Sequence, residues 1–185
     1  MRWVLPMVLL ALLAAAVGGL VARQVYASPE PAPPAAAVPS AGTVPPSDQP
    51  GSPTVMPTEE AAAHPRYETV RGLLQTYFDA INARDYARWR TVVSDRRAGN
   101  QPELKWRTDY RSTKDGSIAI WRIETGPADG RVLISFTSVQ DVADAPLELP
   151  EPCIHWRVVI PLTMEDGAWK LDSGPSSSAP QHEKC

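Results

Sequence analysis

Val70, Leu73, Leu74, Tyr77, Phe78 and Ile81 recur at three- and four-residue intervals. That spacing lays them along one narrow stripe of a helix. Asn82-Ala83-Arg84 interrupts the pattern, and Asp85 is placed to cap a second short helix carrying Tyr86, Trp89, Val92 and Val93. A third short helix is expected from about Pro102, with Trp106 and Tyr110 one turn apart. After Gly116 the period changes to two. Ala119, Trp121 and Ile123 alternate, as do Val132, Ile134 and Phe136. A loop from Thr125 to Gly130 pairs Ile123 with Val132 and Trp121 with Ile134, placing all six side chains on one face. Asp166-Gly167 is a two-residue hairpin turn signal that pairs Met164 with Trp169 and Leu162 with Leu171. Those residues share a face with Ile154, Trp156, Val158 and Ile160. Helices first and sheet second predict an α+β fold, N-terminal helices packed on an antiparallel sheet, over residues 66–174. Residues 175–185 read as a C-terminal tail. One small domain of this size holds one core of modest stability.

The chain ahead of that domain has a different texture. Trp3 to Ala22 carries no charge, and a helix of that length spans roughly 30 Å, the hydrocarbon thickness of a bilayer. Arg2 precedes it, Arg23 follows it, and no further Lys or Arg occurs until Arg66. A long stretch without positive charge translocates easily, so the expected topology is N-terminus inside and domain outside. Two readings of residues 1–27 stay open: an uncleaved transmembrane anchor, or a secretory signal cut after Ala27, where Val25-Tyr26-Ala27 suits a signal peptidase. Ser28 to Pro65 holds eleven prolines among Ala, Ser, Thr and Gly. Proline removes backbone donors and few large apolar residues are present, so residues 28–65 read as a disordered linker. Fully extended as polyproline it reaches about 120 Å at most.

The net charge of −3 gives no footprint for nucleic acid. Charge is nonetheless uneven. Arg84, Arg88, Arg90, Arg96, Arg97, Lys105, Arg107 and Arg111 face only Asp85, Asp95, Glu103 and Asp109 in the same stretch. Arg88 and Arg90 are therefore docking candidates for an acidic partner or anionic headgroups, against the plainer reading of a solvated helix face.

No catalytic constellation emerges. Asp79, the acid of the first helix, lies about 170° from the centre of the apolar stripe and is expected in solvent. The expected inner faces of the sheet carry apolar residues and no acid. His155 and Asp172 fall on the opposite face about 20 Å apart, too far for a dyad. No metal-ligand spacing, phosphate loop or nucleophile elbow occurs, so no metal or cofactor is expected. Tyr77, Trp89, Tyr110, Trp121, Trp156 and Trp169 are candidates to line a pocket for a small apolar ligand, or else ordinary core residues. Two cysteines, Cys153 and Cys185, lie on the exported side, where disulfides persist. Cys153 points away from the core beside Ile154, open to a passing tail, so a Cys153–Cys185 disulfide is expected. The alternative is a Cys185 that pairs with another chain or stays free.

The segment Leu74-x-x-Tyr77-Phe78-Asp79-Ala80-Ile81-Asn82-Ala83-Arg84-Asp85-Tyr86 resembles the opening helix of the nuclear transport factor 2-like (SnoaL-like) superfamily. Asp166-Gly167-Ala168-Trp169-Lys170-Leu171-Asp172 is similar to its closing hairpin. Tyr110-Arg111-Ser112-Thr113 and Cys153-x-x-Trp156 resemble a subset of exported, membrane-anchored actinobacterial members. The resemblance covers about residues 66–173. It implies helices against a strongly curved antiparallel sheet, with a cone-shaped cavity between. It also implies two classes of function. Steroid isomerases, polyketide cyclases and dehydratases use the cavity for chemistry. Accessory domains of penicillin-binding proteins, of secretion channels and of lipid importers assemble without it. The leading expectation is a membrane-tethered, non-catalytic extracytoplasmic domain serving an envelope protein partner. The alternatives are a small-molecule enzyme or a ligand carrier. An acidic or histidine side chain pointing into a closed cavity would favour the enzyme, and an apolar or filled cavity would favour assembly.

Overall fold

Helix spacing and strand alternation meet in a mixed α+β fold with a six-stranded sheet. The computed structural model describes residues 45–174 and 180–185. The apolar segment 3–22 lies outside the described residues, and among those described no helix is long and apolar enough to cross a membrane. The elements form part of one compact unit, Thr43–Cys185. Among the described residues five α-helices follow in chain order: α1 (Glu59–Ala62), α2 (Tyr67–Ala83), α3 (Tyr86–Arg90), α4 (Asp95–Asn100) and α5 (Glu103–Asp109). The strands are β1 (Met56–Pro57), β2 (Lys114–Thr125), β3 (Asp129–Val139), β4 (Cys153–Glu165), β5 (Ala168–Leu171) and β6 (Gln181–Lys184). The sheet runs β1-β2-β3-β4-β5, with β6 also pairing β4. β1 is parallel to β2, and every other pairing is antiparallel.

The apolar stripe of α2 is the helical side of the core. Val70, Leu74, Tyr77, Phe78 and Ile81 are buried against the sheet. Arg84, in the left-handed region at φ 61°, ends the helix. Asp85 caps α3 through the amide of Arg88 at 2.9 Å. The helix α4 escaped the periodicity because it is short and presents Ala98 as its buried residue. Its start is set by Ser94, whose Oγ accepts from the Arg97 amide at 3.0 Å.

Asp166 and Gly167 both adopt positive φ, and the hairpin pairs Met164 with Trp169 and Leu162 with Leu171 as its turn chemistry requires. The first hairpin departs from simple alternation. Ile123 faces Val132 as expected, but the register shifts between Ile120 and Arg122 and again between Gly116 and Ala119. Each shift inserts one extra residue and exchanges the two faces. Ile118 and Ile120 therefore take the core positions, at 1 % and 0 % exposure. Trp121, expected inside opposite Ile134, is only half-buried, and its indole donates to Ser135 Oγ at 2.7 Å.

Residues 51–65, read from their prolines as linker, belong to the fold. Val55 is 2 % exposed and Ala61 fully buried. Few internal donors are needed here, because a helix side chain and a strand edge satisfy the backbone. Gln75 on α2 accepts from the Val55 amide at 2.9 Å and donates to the Pro53 carbonyl at 3.1 Å. Pro57 sits in an edge strand, where proline is tolerated. Gly116 allows the approach: a methyl there would meet the Gly51 carbonyl oxygen at 2.6 Å. Val55→Ala is expected to destabilise the fold by about 1–2 kcal/mol. A urea midpoint unchanged from wild type would show that residues 51–65 add nothing to stability.

The end of the chain is also part of the sheet. β6 pairs residues 154–157 of β4, and Cys185 forms the expected disulfide with Cys153. A tail with no core side chains of its own is thus held as a strand. His182 lies against the Trp156 ring at 5.1 Å.

Candidate functional site

Between α2, α4, α5 and the inner face of the sheet lies a cavity of about 530 Å³, within the usual range for small-molecule sites. One wall is apolar: Phe78 from α2, Phe136 from β3, and Trp156 and Val158 from β4. Phe136 stacks on Trp156 at 6.2 Å and meets Phe78 at 5.0 Å. The other wall is polar, with Tyr77, Arg97, Tyr110, Asp115 and Ser138. Exposed Asn100, Lys105 and Asp109 also line it, forming a rim.

Asp115 is the residue that inspection of the sequence missed. It is 4 % exposed. Burial pushes its carboxyl up to about 6, although the Ser138 hydroxyl and the Arg84 charge pull the other way. Ser138 Oγ donates to Oδ1 at 2.5 Å. The backbone of Asp115 is clamped by Asn82 at the end of α2: the Asp115 amide donates to Asn82 Oδ1 at 2.8 Å, and Asn82 Nδ2 donates to the Asp115 carbonyl at 2.9 Å. Alternation read from the sequence begins only after Gly116, which places Asp115 in the preceding loop. In fact β2 begins at Lys114, and the two register shifts cancel, so Asp115 shares the inward face with Ile123. Odd-numbered parity with Ile123 was the available signal.

Opposite the apolar wall, Tyr77 and Tyr110 bring their hydroxyls to 3.4 Å. Arg97 Nη2 donates to Tyr77 Oη at 2.8 Å, and the guanidinium carbon stands 4.9 Å from the Tyr77 ring centre. Burial, with the neighbouring Tyr77, holds the Tyr110 phenol well above its ordinary range, so it stays a protonated donor. At the edge of the cavity burial pushes Asp172 up. The hydrogen bonds from Arg96, Ser94 and the Ser173 amide outweigh it and hold the carboxyl below its ordinary value.

Of the six pocket candidates, Tyr77, Tyr110 and Trp156 line the cavity and the other three do not. Trp89, with no exposed surface, packs against Tyr86 at 5.5 Å and Trp106 at 5.8 Å in the core beneath α3. Trp169 is 7 % exposed in the core, and Trp121 is turned outward by the bulge. Asp79 accepts from Gln75 at 2.9 Å and pairs with Arg88 at 3.0 Å on the helix surface. Arg90 pairs with Asp95 at 3.5 Å. The docking candidates Arg88 and Arg90 thus already have carboxylate partners. The basic excess along residues 84–111 was legible, but Asp79, Asp144 and Asp172, which answer three of its arginines, come from outside that stretch. His155 bonds Thr137 Oγ1 at 2.8 Å rather than Asp172.

No family model and no curated protein matches the chain. Chains among the solved structures do match it. One is the crystal structure of a Delta 5-3-ketosteroid isomerase from Mycobacterium sp., at a TM-score of 0.39 and 11 % identity, covering 62 % of this chain and 98 % of that one. A likeness of that size leaves the site to be read from its own geometry.

Proposed function

We propose that this chain is a nuclear transport factor 2-like domain that takes a small, partly apolar molecule into its cavity and exchanges a proton with it through Asp115. The observation that carries the reading is a buried carboxyl in the cavity wall whose burial raises it to about 6. A carboxyl held there is half-ionised at about pH 6 and mostly ionised at neutral pH, so it is present as a base with more proton affinity than an ordinary carboxylate. The paired hydroxyls of Tyr110 and Tyr77 present a donor for oxygen charge that develops as a proton leaves carbon. The cavity is neither filled nor wholly apolar, which favours chemistry or ligand carriage over a purely assembling role. The setting proposed for it is the outer face of a membrane, tethered through residues 3–22, with an envelope partner receiving or supplying the ligand.

The test requires no knowledge of the natural substrate. Full-length protein is incubated in deuterium oxide with a panel of cyclic and open-chain ketones of decalin size, and label α to the carbonyl is read by mass spectrometry. Catalysed exchange should rise with pH through about 6 and be kept by Asp79→Asn. If no ketone binds or exchanges above the buffer rate, the reading fails.

A further inference from the structure

The cavity contains a cation that no carboxylate answers among the described residues. From Arg66 onward, every arginine except Arg66, Arg84 and Arg97 meets an Asp or Glu within ion-pair distance. Arg84 instead caps carbonyls, donating to Ile81 at 2.7 Å and to Arg111 at 3.0 Å. Of these three, only Arg97 lines the cavity. Its neighbour Arg96 takes the Asp172 carboxylate, so Arg97 receives only the Asp172 carbonyl, at 3.0 Å, and Tyr77 Oη. A half-buried guanidinium left with neutral acceptors gives up hydration without gaining a counter-charge, an unfavourable arrangement unless an anion completes it.

Resting on the reading that a small molecule enters this cavity, we propose that the ligand is a monocarboxylate with an apolar body, its carboxylate on Arg97 and its body against Phe78, Phe136, Trp156 and Val158. The planar guanidinium matches a carboxylate in shape and charge. One uncompensated cation suits one negative charge. Lys105, the other cation of the lining, is held by Asp109 at 2.6 Å, and Asp144 is occupied by Arg111 and Ser112. A doubly charged phosphate would bring a second charge with no second unpaired cation in the lining to meet it, and would face Asp115, the lining acid that has no ion-pair partner among the described residues. The tyrosine hydroxyls extend the recognition. Tyr77 Oη accepts from Arg97 and lies 3.4 Å from Tyr110 Oη, which places a neutral donor beside the cation.

The experiment titrates full-length protein with decanoate and, separately, with methyl decanoate at neutral pH. The 15N indole signal of Trp156 reports occupancy, assigned by its loss in Trp156→Phe. Decanoate should bind at least about tenfold more tightly than its ester, the usual worth of a charge-assisted bond. Arg97→Met should erase that preference and leave the ester within about twofold of wild type, which also shows that the variant folds. Arg97→Lys should restore part of it. Equal affinities for acid and ester in the wild type overturn the carboxylate assignment while the cavity reading stands, as does a preference that survives Arg97→Met. If neither ligand shifts Trp156, the cavity reading fails and this inference with it.

Discussion

Asp115→Asn should lower catalysed proton exchange by about 10²–10⁴-fold, the usual contribution of a positioned base, and should also make the protein more stable at neutral pH. The two effects share one cause. In the fold Asp115 titrates at about 6 against an ordinary 3.8, because burial disfavours its ionised form. Between about pH 4 and pH 6 the native state therefore binds more protons than the unfolded chain, and stability falls as pH rises through that window. Above it the full penalty applies, roughly 2–3 kcal/mol for a shift of this size. Asparagine keeps the acceptor for Ser138 Oγ and has no charge to desolvate. Its advantage should be about 1–3 kcal/mol at pH 8 and should vanish by about pH 4. Asp144 and Asp172, whose carboxyls are held below their ordinary values, act in the opposite sense. Their stabilisation is present above the unfolded value and is lost as pH falls through their folded values, equally in both proteins. The difference between wild type and variant isolates Asp115. Urea midpoints from pH 4 to pH 8 measure it, and a variant less stable than wild type at pH 8 would show that the buried carboxylate supports the fold rather than taxing it. A carboxyl that weakens the fold while lining a cavity has the character of a working group.

The second large effect concerns the strand that ends the described chain. Replacing both Cys153 and Cys185 by serine should cost about 3–4 kcal/mol in the chain-entropy account, for a cross-link between residues 32 apart. The loss should be local in its structural consequence. β6 offers Gln181, Glu183 and Lys184 to solvent, and only half-buried His182 packs inward, against Trp156. Four pairings, one ring contact and an exposed Arg157–Glu183 ion pair at 3.8 Å are a weak hold for a strand whose end is also fastened by the Cys185 amide to the Cys153 carbonyl at 3.1 Å. Without the cross-link the amides of residues 181–184 should exchange rapidly with solvent while those of β3 and β4 stay protected. Urea unfolding within about 1 kcal/mol of wild type, with β6 still protected, would show that strand pairing alone holds the tail.

Local periodicity determined the stripe of α2, the Asp85 cap, the Asp166-Gly167 hairpin with its register and the α+β class, because each depends on residues close in sequence whose spacing has one geometric solution. The pairing of Cys153 with Cys185 was also legible, since Ile154 sets which way its neighbour points. Tertiary structure decided what depends on residues far apart. The bulges in β2 exchange faces for Ile118 to Trp121, because register is a property of two strands together and alternation within one strand cannot report an extra residue. Gln75 draws the proline-rich segment around Val55 into the core by supplying from a helix the hydrogen bonds that the segment's own composition lacks. Arg96 and Arg97 look alike as neighbours. Only folding assigns Asp172 to the first and leaves the second facing the cavity, because a counter-charge 76 residues away is invisible to local spacing. The raised carboxyl of Asp115 has the same origin: burial is a sum over everything packed around a group, and Asn82 and Arg84 at the end of α2 and Ser138 on β3 reach it from two distant parts of the chain.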